Sequence, residues 1–442
     1  MKITLVGGGS TSWAPILVQS FILNKAFEGA EVYLYDIDGE ALARSMKLCK
    51  RYAAFKLECR IEFKSGTDLD EALKGAKYVV VSISHGGLEA ELEDHRITRR
   101  YGYYNIKGLE VGISGASRTL RMVPELVRIG RHMKEMCPDA MMFDVSNPLS
   151  AITHAVRKYA GVETVGLCHG VKNHLRILMP MIGLECDDID KVDFNVAGVD
   201  HCSWHLSAKY NGQDAFKKIR EDGWIEKAYQ NEKIGEFNDP FAGKEFQRLR
   251  FMLWDVFGYM PAISDEHIVE FFGQMINGEE RRNYYGMHYD RIAERTKTVN
   301  EFYDDVSAKT LEDTPLEPHS QGEIVDKLVS ALEGYGPYSD IMNYQNVGQV
   351  ENLPLGITVE TRVYVDSCGF HPVHAGALPR ALENVVRPVA QREELFMEAA
   401  MEHDFDKLRT ALVMDPLVFE FRKVDEICKE LFAYNDQFRI ER

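Results

Sequence analysis

The opening stretch, MKITLVGGGSTSWAP and on to EVYLYD, constrains the fold more than any other. It reads as strand, glycine turn, helix, second strand and acid. Ile3, Leu5 and Val6 form a short apolar run that ends at Gly7, Gly8 and Gly9. Ser10 and Thr11 can then cap a helix expected from about Trp13 to Asn24. This is the order of a dinucleotide-binding βαβ unit, in which glycines let the backbone turn tightly and approach a pyrophosphate. The unpaired N–H groups at the helix N-terminus meet the phosphate charge. Asp36 follows the apolar strand Val32 to Tyr35 and is placed to accept hydrogen bonds from an adenosine ribose, which suits NAD over NADP. The third glycine of G-x-G-x-x-G would fall on Ser12, so the turn alone also fits an unliganded βα connection. Strand, helix and acid together favour the cofactor: Gly7, Gly9, Ser10, Thr11 and Asp36 are its expected contacts.

The alternation continues. A helix is expected from about Glu40 to Lys56, then a strand from Arg60 to Lys64, and Thr67 or Asp68 caps the helix DLDEALKGA. Tyr78 to Ile83 is apolar and β-branched and stops at Ser84, His85, Gly86 and Gly87, as a parallel strand does at a ligand crevice. The following thirty residues are too many for an ordinary connection and predict a helix with a mobile loop or a lid. A helix from about Arg118 to Met136, the strand AMMFDVS with Asn147-Pro148 after it, and the unit closing at Thr164 to Cys168 complete six strands. These describe an α/β doubly wound parallel sheet whose carboxyl ends share one crevice, bringing Asn147, Cys168 and His169 near each other. From about Lys191 the pattern turns to alternating strands and then helices, so residues 1–195 are expected to form a Rossmann-like domain and residues 196–442 an α+β domain. Ser320 and Glu323 have capping-box spacing ahead of an apolar helix, and HDFDKLRTALVMDP reads as helical.

Composition narrows the class. At 442 residues, 45% apolar and 27% charged, the chain has a globular balance with room for two domains. No apolar run of about eighteen residues and no signal-type leader are present, so a cytoplasmic protein with no membrane partner is expected. The formal charge of −17 argues against nucleic-acid binding. Eight cysteines with no C-x-x-C pair argue against a disulfide framework and a zinc ribbon. GLCHGV at 166–171 nevertheless sets a thiol and an imidazole at a strand end, and GVDHCSW at 198–204 sets another imidazole on the first strand of the second part. A divalent metal held by Cys168 and His201 would keep positions open for substrate oxygens. On spacing alone, a cysteine and a histidine at element ends are more often packing residues.

At these residues the chain resembles glycoside hydrolase family 4, the NAD-dependent glycosidases. GGGST with Pro15, LYDID, SNP at 146–148, GLCHGV and VYVDSCGFHPV are similar to that family's landmarks, in order and over almost the whole chain. Lactate and malate dehydrogenases are similar in fold, and an NAD-dependent hydroxyacid or sugar dehydrogenase is the alternative function. Their substrate-clamping arginines with an Asp-His pair are not evident.

The resemblance implies oxidation of the sugar at C3 by NAD, removal of the acidified C2 proton, elimination of the aglycone from C1, addition of water and return of the hydride. No flanking carboxylate pair is then needed. It also implies a metal, usually Mn2+, acting as a Lewis acid on the C2 and C3 oxygens and held by Cys168 and His201. Asn147, His169 and His267 become substrate contacts, with His169 placed to protonate the leaving oxygen. ISDEHIVEFF at 263–272 looks like the D-x-H-x-x-E segment of members acting on unphosphorylated α-hexosides, which makes Asp265 the candidate base; a helix cap is its other reading. Two departures stand out: Asp200 where the family has Asn, and GISGASRTLR at 112–121 in place of a glycine pair. The metal cysteine lacks the C-N-x-P or C-D-x-P pattern of phosphosugar enzymes, which points to unphosphorylated α-galactosides, α-glucosides or α-uronides. Surface or structural roles are the first reading of Arg118, Arg121 and His85, with a contact to a uronate carboxylate as the alternative. A homodimer or homotetramer is expected.

Overall fold

Six parallel strands form the core of the computed structural model, which describes residues 1–10, 12–55, 60–230, 237–239, 243–245, 247–287, 291–320 and 322–439. They are β1 (Lys2–Val6), β2 (Glu31–Tyr35), β3 (Glu62–Gly66), β4 (Tyr78–Val81), β5 (Met141–Asp144) and β6 (Thr164–Gly166). Their spatial order is 3-2-1-4-5-6, that of a doubly wound dinucleotide-binding sheet, as the sequence predicts. The crossover helices are α1 (Trp13–Leu23), α2 (Gly39–Phe55), α3 (Leu69–Leu73), α4 (Gly87–Arg100), α5 (Gly112–Met136), α6 (Leu149–Ala155) and α7 (Gly170–Arg176). Asp68 caps α3 by accepting from the Glu71 N–H at 3.0 Å.

Strand β4 shows why the sheet is buried on both faces. Val79 and Val81 pack into a cluster with α5, α6 and the C-terminal helices, while Tyr78 and Val80 enter the opposite cluster with α1 and α2. A continuous apolar strand has this period-two division between two cores. The long segment after β4 becomes α4, a connection at 101–111, and α5 starting at Gly112, six residues earlier than Arg118. That connection is firmly tied. Glu270 accepts from Asn105 Nδ2 at 2.9 Å, the Ile106 N–H at 2.7 Å and the Gly108 N–H at 3.0 Å, and Asp415 accepts from the Gly112 N–H at 2.9 Å.

Beyond residue 190 the antiparallel hairpin of β7 (Asp193–Val199) and β8 (Cys202–Tyr210) starts a second sheet. The short β9 (Gln213–Asp214) pairs with β8, β10 (Phe237–Asp239) pairs with β11 (Gly243–Glu245), and β12 (Met260–Pro261) flanks β8. The chain then returns. Strands β13 (Tyr338–Gln345), β14 (Thr358–Asp366) and β15 (Gly369–Pro372) add antiparallel to β6 and extend the first sheet to nine strands. The parts expected on either side of residue 195 therefore interlock, and the helix Arg380–Glu402 also packs on α5. The capping-box expectation is corrected: the helix Val325–Leu332 has Ile324 at its N-cap with no side-chain cap bond, and Glu323 turns toward His169. No helix among the described residues is long and apolar enough to cross a membrane.

Candidate active site at the carboxyl ends of the sheet

The glycine turn is built by close approach. Gly7 and Gly8 N–H both donate to Tyr35 O, at 2.9 and 2.7 Å, so the turn lies directly on the end of β2. A Cβ on Gly7 would meet Ser82 O at 2.5 Å, and one on Gly9 would meet Asp36 Oδ2 at 2.8 Å and Ala41 Cβ at 2.7 Å. Asp36 accepts from the Gly9 N–H at 2.9 Å, so the acid after β2 is held against the glycine turn. Ser10 Oγ accepts from the Trp13 N–H at 3.1 Å at the start of α1. Thr11 lies outside the described residues. An acid beside side-chain-free backbone at a helix N-terminus fits an NAD adenosine and pyrophosphate.

Three strands along the sheet from β1, β6 stops at Gly166 and delivers Cys168 and His169 before α7 begins. Cys168 Sγ lies 3.5 Å from His201 Nε2, across the two-residue connection between β7 and β8. His201 holds φ of 58°, a left-handed conformation uncommon for a residue with a Cβ, and this turns the ring toward the cysteine. Donor atoms of Cys168, Asp200 and His201 all lie within 4.8 Å of one another. His201 Nδ1 is 3.0 Å from Glu110 Oε1 and 3.4 Å from Asp200 Oδ2, which leaves Nε2 toward the thiol. Such a carboxylate behind an imidazole fixes the tautomer of a metal ligand.

The surroundings are strongly acidic. Glu110, Asp200, Glu360 and Glu393 are buried around this one imidazole. Burial, followed by repulsion from Asp200, pushes Glu360 up to about 8, and burial pushes the Asp144 carboxyl up to about 8 as well. Burial raises Glu393 well above the carboxylate range, aided by Glu110. Burial pushes the Cys168 thiol up to about 12, with Asp200 adding to it. For His201, burial acts downward, but Asp200 and Glu110 override it and hold the ring well above its ordinary value. Asp200 Oδ2 and Glu393 Oε1 make no hydrogen bond. A thiol, an imidazole and unsatisfied buried carboxylate oxygens are a donor set for a divalent cation, whose charge would offset the repulsion.

His169 faces the cofactor side. Its Nδ1 is 3.6 Å from the buried Glu323 carboxylate, and its ring is 6.1 Å from that of Trp13 at the head of α1. Asn147 follows β5, half-buried, in a cis peptide with Pro148. The segment 263–267 closes the other side: a Cβ on Gly170 would lie 2.4 Å from Ile263 Cδ1, and the His267 and His201 rings are 4.2 Å apart. Asp265 is fully buried there. Its two oxygens accept from the Leu249 and Arg250 N–H groups at 2.7 and 2.8 Å, at the start of the helix Arg248–Phe257. It thus caps a neighbouring helix, while Ser264 holds the N-cap position of its own.

The three uronate candidates are already engaged. Arg121 makes a two-pronged pair with Asp94 at 2.8 and 2.6 Å, Arg118 lies 3.3 Å from Glu91, and His85 Nε2 is 3.0 Å from Phe438 O. Sequence reasoning missed Glu110, Glu360 and Glu393, and read Glu323 only as half of a capping box. Each sits on an element distant in the chain from the residue it faces, and no local spacing marks these contacts.

The model of the family 4 glycosyl hydrolases matches residues 2–184, and that of the C-terminal domain of the same family matches residues 196–418. An α-galactosidase of Bacillus subtilis is 29% identical over 98% of this chain and 97% of its own. An α-galacturonidase of Thermoanaerobacter italicus is 28% identical over 99% of this chain and 96% of its own. The 6-phospho-β-glucosidase of Thermotoga maritima, solved with manganese, NAD+ and glucose 6-phosphate, superposes with a TM-score of 0.81 at 22% identity, over 99% of each chain. A malate dehydrogenase of Plasmodium falciparum shares the fold, with a TM-score of 0.53 at 12% identity over 91% of this chain and 99% of its own. With both of the family's models matched across nearly its whole length, this chain belongs to family 4 of the glycosyl hydrolases and is a glycoside hydrolase.

Proposed function

We propose that the enzyme hydrolyses unphosphorylated α-hexosides, galacto- or gluco-configured or the corresponding uronides, using NAD and a divalent metal such as Mn2+. The observation that carries this is the Cys168-His169 turn lying between the glycine turn of β1 and His201. It joins a cofactor crevice to a metal donor set and has no residue pattern for a sugar phosphate. The names of the relatives, α-galactosidase and α-galacturonidase, support the substrate class. Family membership sets aside a hydroxyacid or sugar dehydrogenase. A uronate would need a cation other than Arg118 and Arg121, which are committed to Glu91 and Asp94.

Gly7, Gly9, Ser10, Thr11 and Asp36 are assigned to the cofactor, and Cys168 and His201 to the metal. When bound, NAD and the metal supply reversible oxidation at C3 and Lewis-acid polarisation of the sugar oxygens. Glu110 keeps Nε2 of His201 toward the donor set. His169, held by Glu323, protonates the leaving oxygen, and Asn147 and His267 bind sugar hydroxyls. Asp265 is the proposed base for the C2 proton and acts while anchored to the helix at 248. A homo-oligomer in the cytoplasm completes the reading.

The test is a panel of nitrophenyl α-glycosides, free and 6-phosphorylated, with NAD, Mn2+ and a thiol reductant that protects the Cys168 thiolate. Release of nitrophenol from a free α-hexoside or α-uronide without net NADH is expected. Turnover confined to 6-phosphorylated or β-linked sugars overturns the substrate reading, and steady stoichiometric NADH overturns the hydrolytic one.

A further inference from the structure

The geometry points to Asp200 as a third protein ligand of the metal, beside Cys168 and His201, which converts a thiolate-imidazole pair into a thiolate-imidazole-carboxylate set. This rests on the proposed metal site. Three observations carry it. First, the carboxylate lies in the same 4.8 Å cluster of donor atoms as the thiol and the imidazole. Second, it is rigidly aimed: Oδ1 accepts from Asn343 Nδ2 at 3.0 Å, and the backbone N–H donates to Ser150 Oγ at 3.1 Å. Third, Oδ2 is completely buried and has no hydrogen-bond donor. The second carboxylate near His201 Nδ1, Glu110, is closer to that nitrogen, at 3.0 Å against 3.4 Å, so Asp200 is not needed to orient the ring.

A buried carboxylate oxygen without a donor is costly unless a cation meets it. Glu360 and Glu393 stand in the same interior, faced by His201 and, for Glu393, by Arg392 as well, and a divalent ion between Cys168 and His201 would offset the negative charge that remains. The chemical consequence is selectivity. Thiolate and imidazole are soft or borderline donors, and an anionic oxygen adds a hard one, which strengthens the hold on Mn2+ more than that on Zn2+. Three protein ligands would still leave positions open for substrate oxygens.

Asp200→Asn tests this, because the amide keeps the shape and the turn but removes the anionic donor. Titration calorimetry of the full-length, reduced, NAD-free protein is done with Mn2+ and separately with Zn2+. Asp200→Asn is expected to weaken Mn2+ binding about tenfold or more and Zn2+ binding distinctly less. Unchanged Mn2+ affinity, or equal losses for both ions, overturns the assignment; equal losses would mean that Asp200 only supports His201. Cys168→Ser reports on the site itself: a wild type that binds neither ion, or a Cys168→Ser variant that binds both as before, removes the underlying metal reading instead. Independently of any variant, a crystal structure of the wild type with Mn2+ should place an Asp200 oxygen at about 2.2 Å from the ion. An oxygen beyond about 3 Å overturns the proposal.

Discussion

Replacing Asp265 by Asn separates two demands that the structure places on one carboxylate. The group accepts one backbone N–H on each oxygen, from Leu249 and Arg250, in a fully buried position. An amide can accept on one side only and turns an NH2 toward the other N–H. Leaving that donor unpaired costs about 1–3 kcal/mol, and loss of the negative charge at a helix N-terminus adds about 0.3–2 kcal/mol. A total of about 1–5 kcal/mol is expected. Unfolding entropy near 2 cal/mol/K per residue makes a chain of 442 residues shift by about 1 °C per kcal/mol, so Tm should fall by roughly 1–5 °C. Catalysis should suffer far more, since an amide cannot take a proton and general-base catalysis contributes about 10²–10⁴-fold. The assay is exchange of the substrate C2 hydrogen with deuterated solvent, followed by mass spectrometry, alongside a thermal melt. Enzyme-bound NADH should still form, because oxidation at C3 precedes loss of the proton. Exchange continuing near the wild-type rate would refute Asp265 as the base and leave it as a helix anchor. An unchanged Tm would refute the anchoring argument.

The remaining predictions concern the cofactor turn and the connection behind the metal. In Gly9→Ala the new methyl would press on Asp36 Oδ2 and Ala41 Cβ, so NAD affinity measured by fluorescence titration should drop tenfold or more while circular dichroism is kept; wild-type affinity would show that the turn tolerates a side chain. Burial pushes the Glu270 carboxyl up to about 7 despite its bonds to Asn105, Gly108 and Ile106. A folded-state value above the unfolded one gives stability that is complete below about pH 4.5 and lost as pH rises to about 7, by up to ~3 kcal/mol. Glu270→Gln does not ionise, so its deficit against wild type in urea melts should shrink between pH 5 and pH 8; parallel pH profiles would contradict the argument.

The sequence by itself determined the βαβ order, the parallel sheet and the glycine turn with Asp36. Each is a local signal, whereas the pairing of Cys168 with His201 rested on the family resemblance. Apolar runs, turn residues and caps act over a few positions, and strand ends in a doubly wound sheet converge by topology alone. Tertiary structure decided what lies behind those residues. The chain returns at β13 and β14 to place Asn343 and Glu360 beside Asp200, and the connection after α4 brings Glu110 to His201. Glu323 has the spacing of a capping box yet turns to His169, and Asp265 has the spacing of a cap yet serves a helix that begins earlier in the chain. In both cases a hydrogen-bonding group satisfied a partner remote in sequence, because a buried carboxylate pairs with whichever donor or cation the packed fold brings to it. The charge pattern of the site, four carboxylates around one imidazole, follows from that packing and from no stretch of the sequence alone.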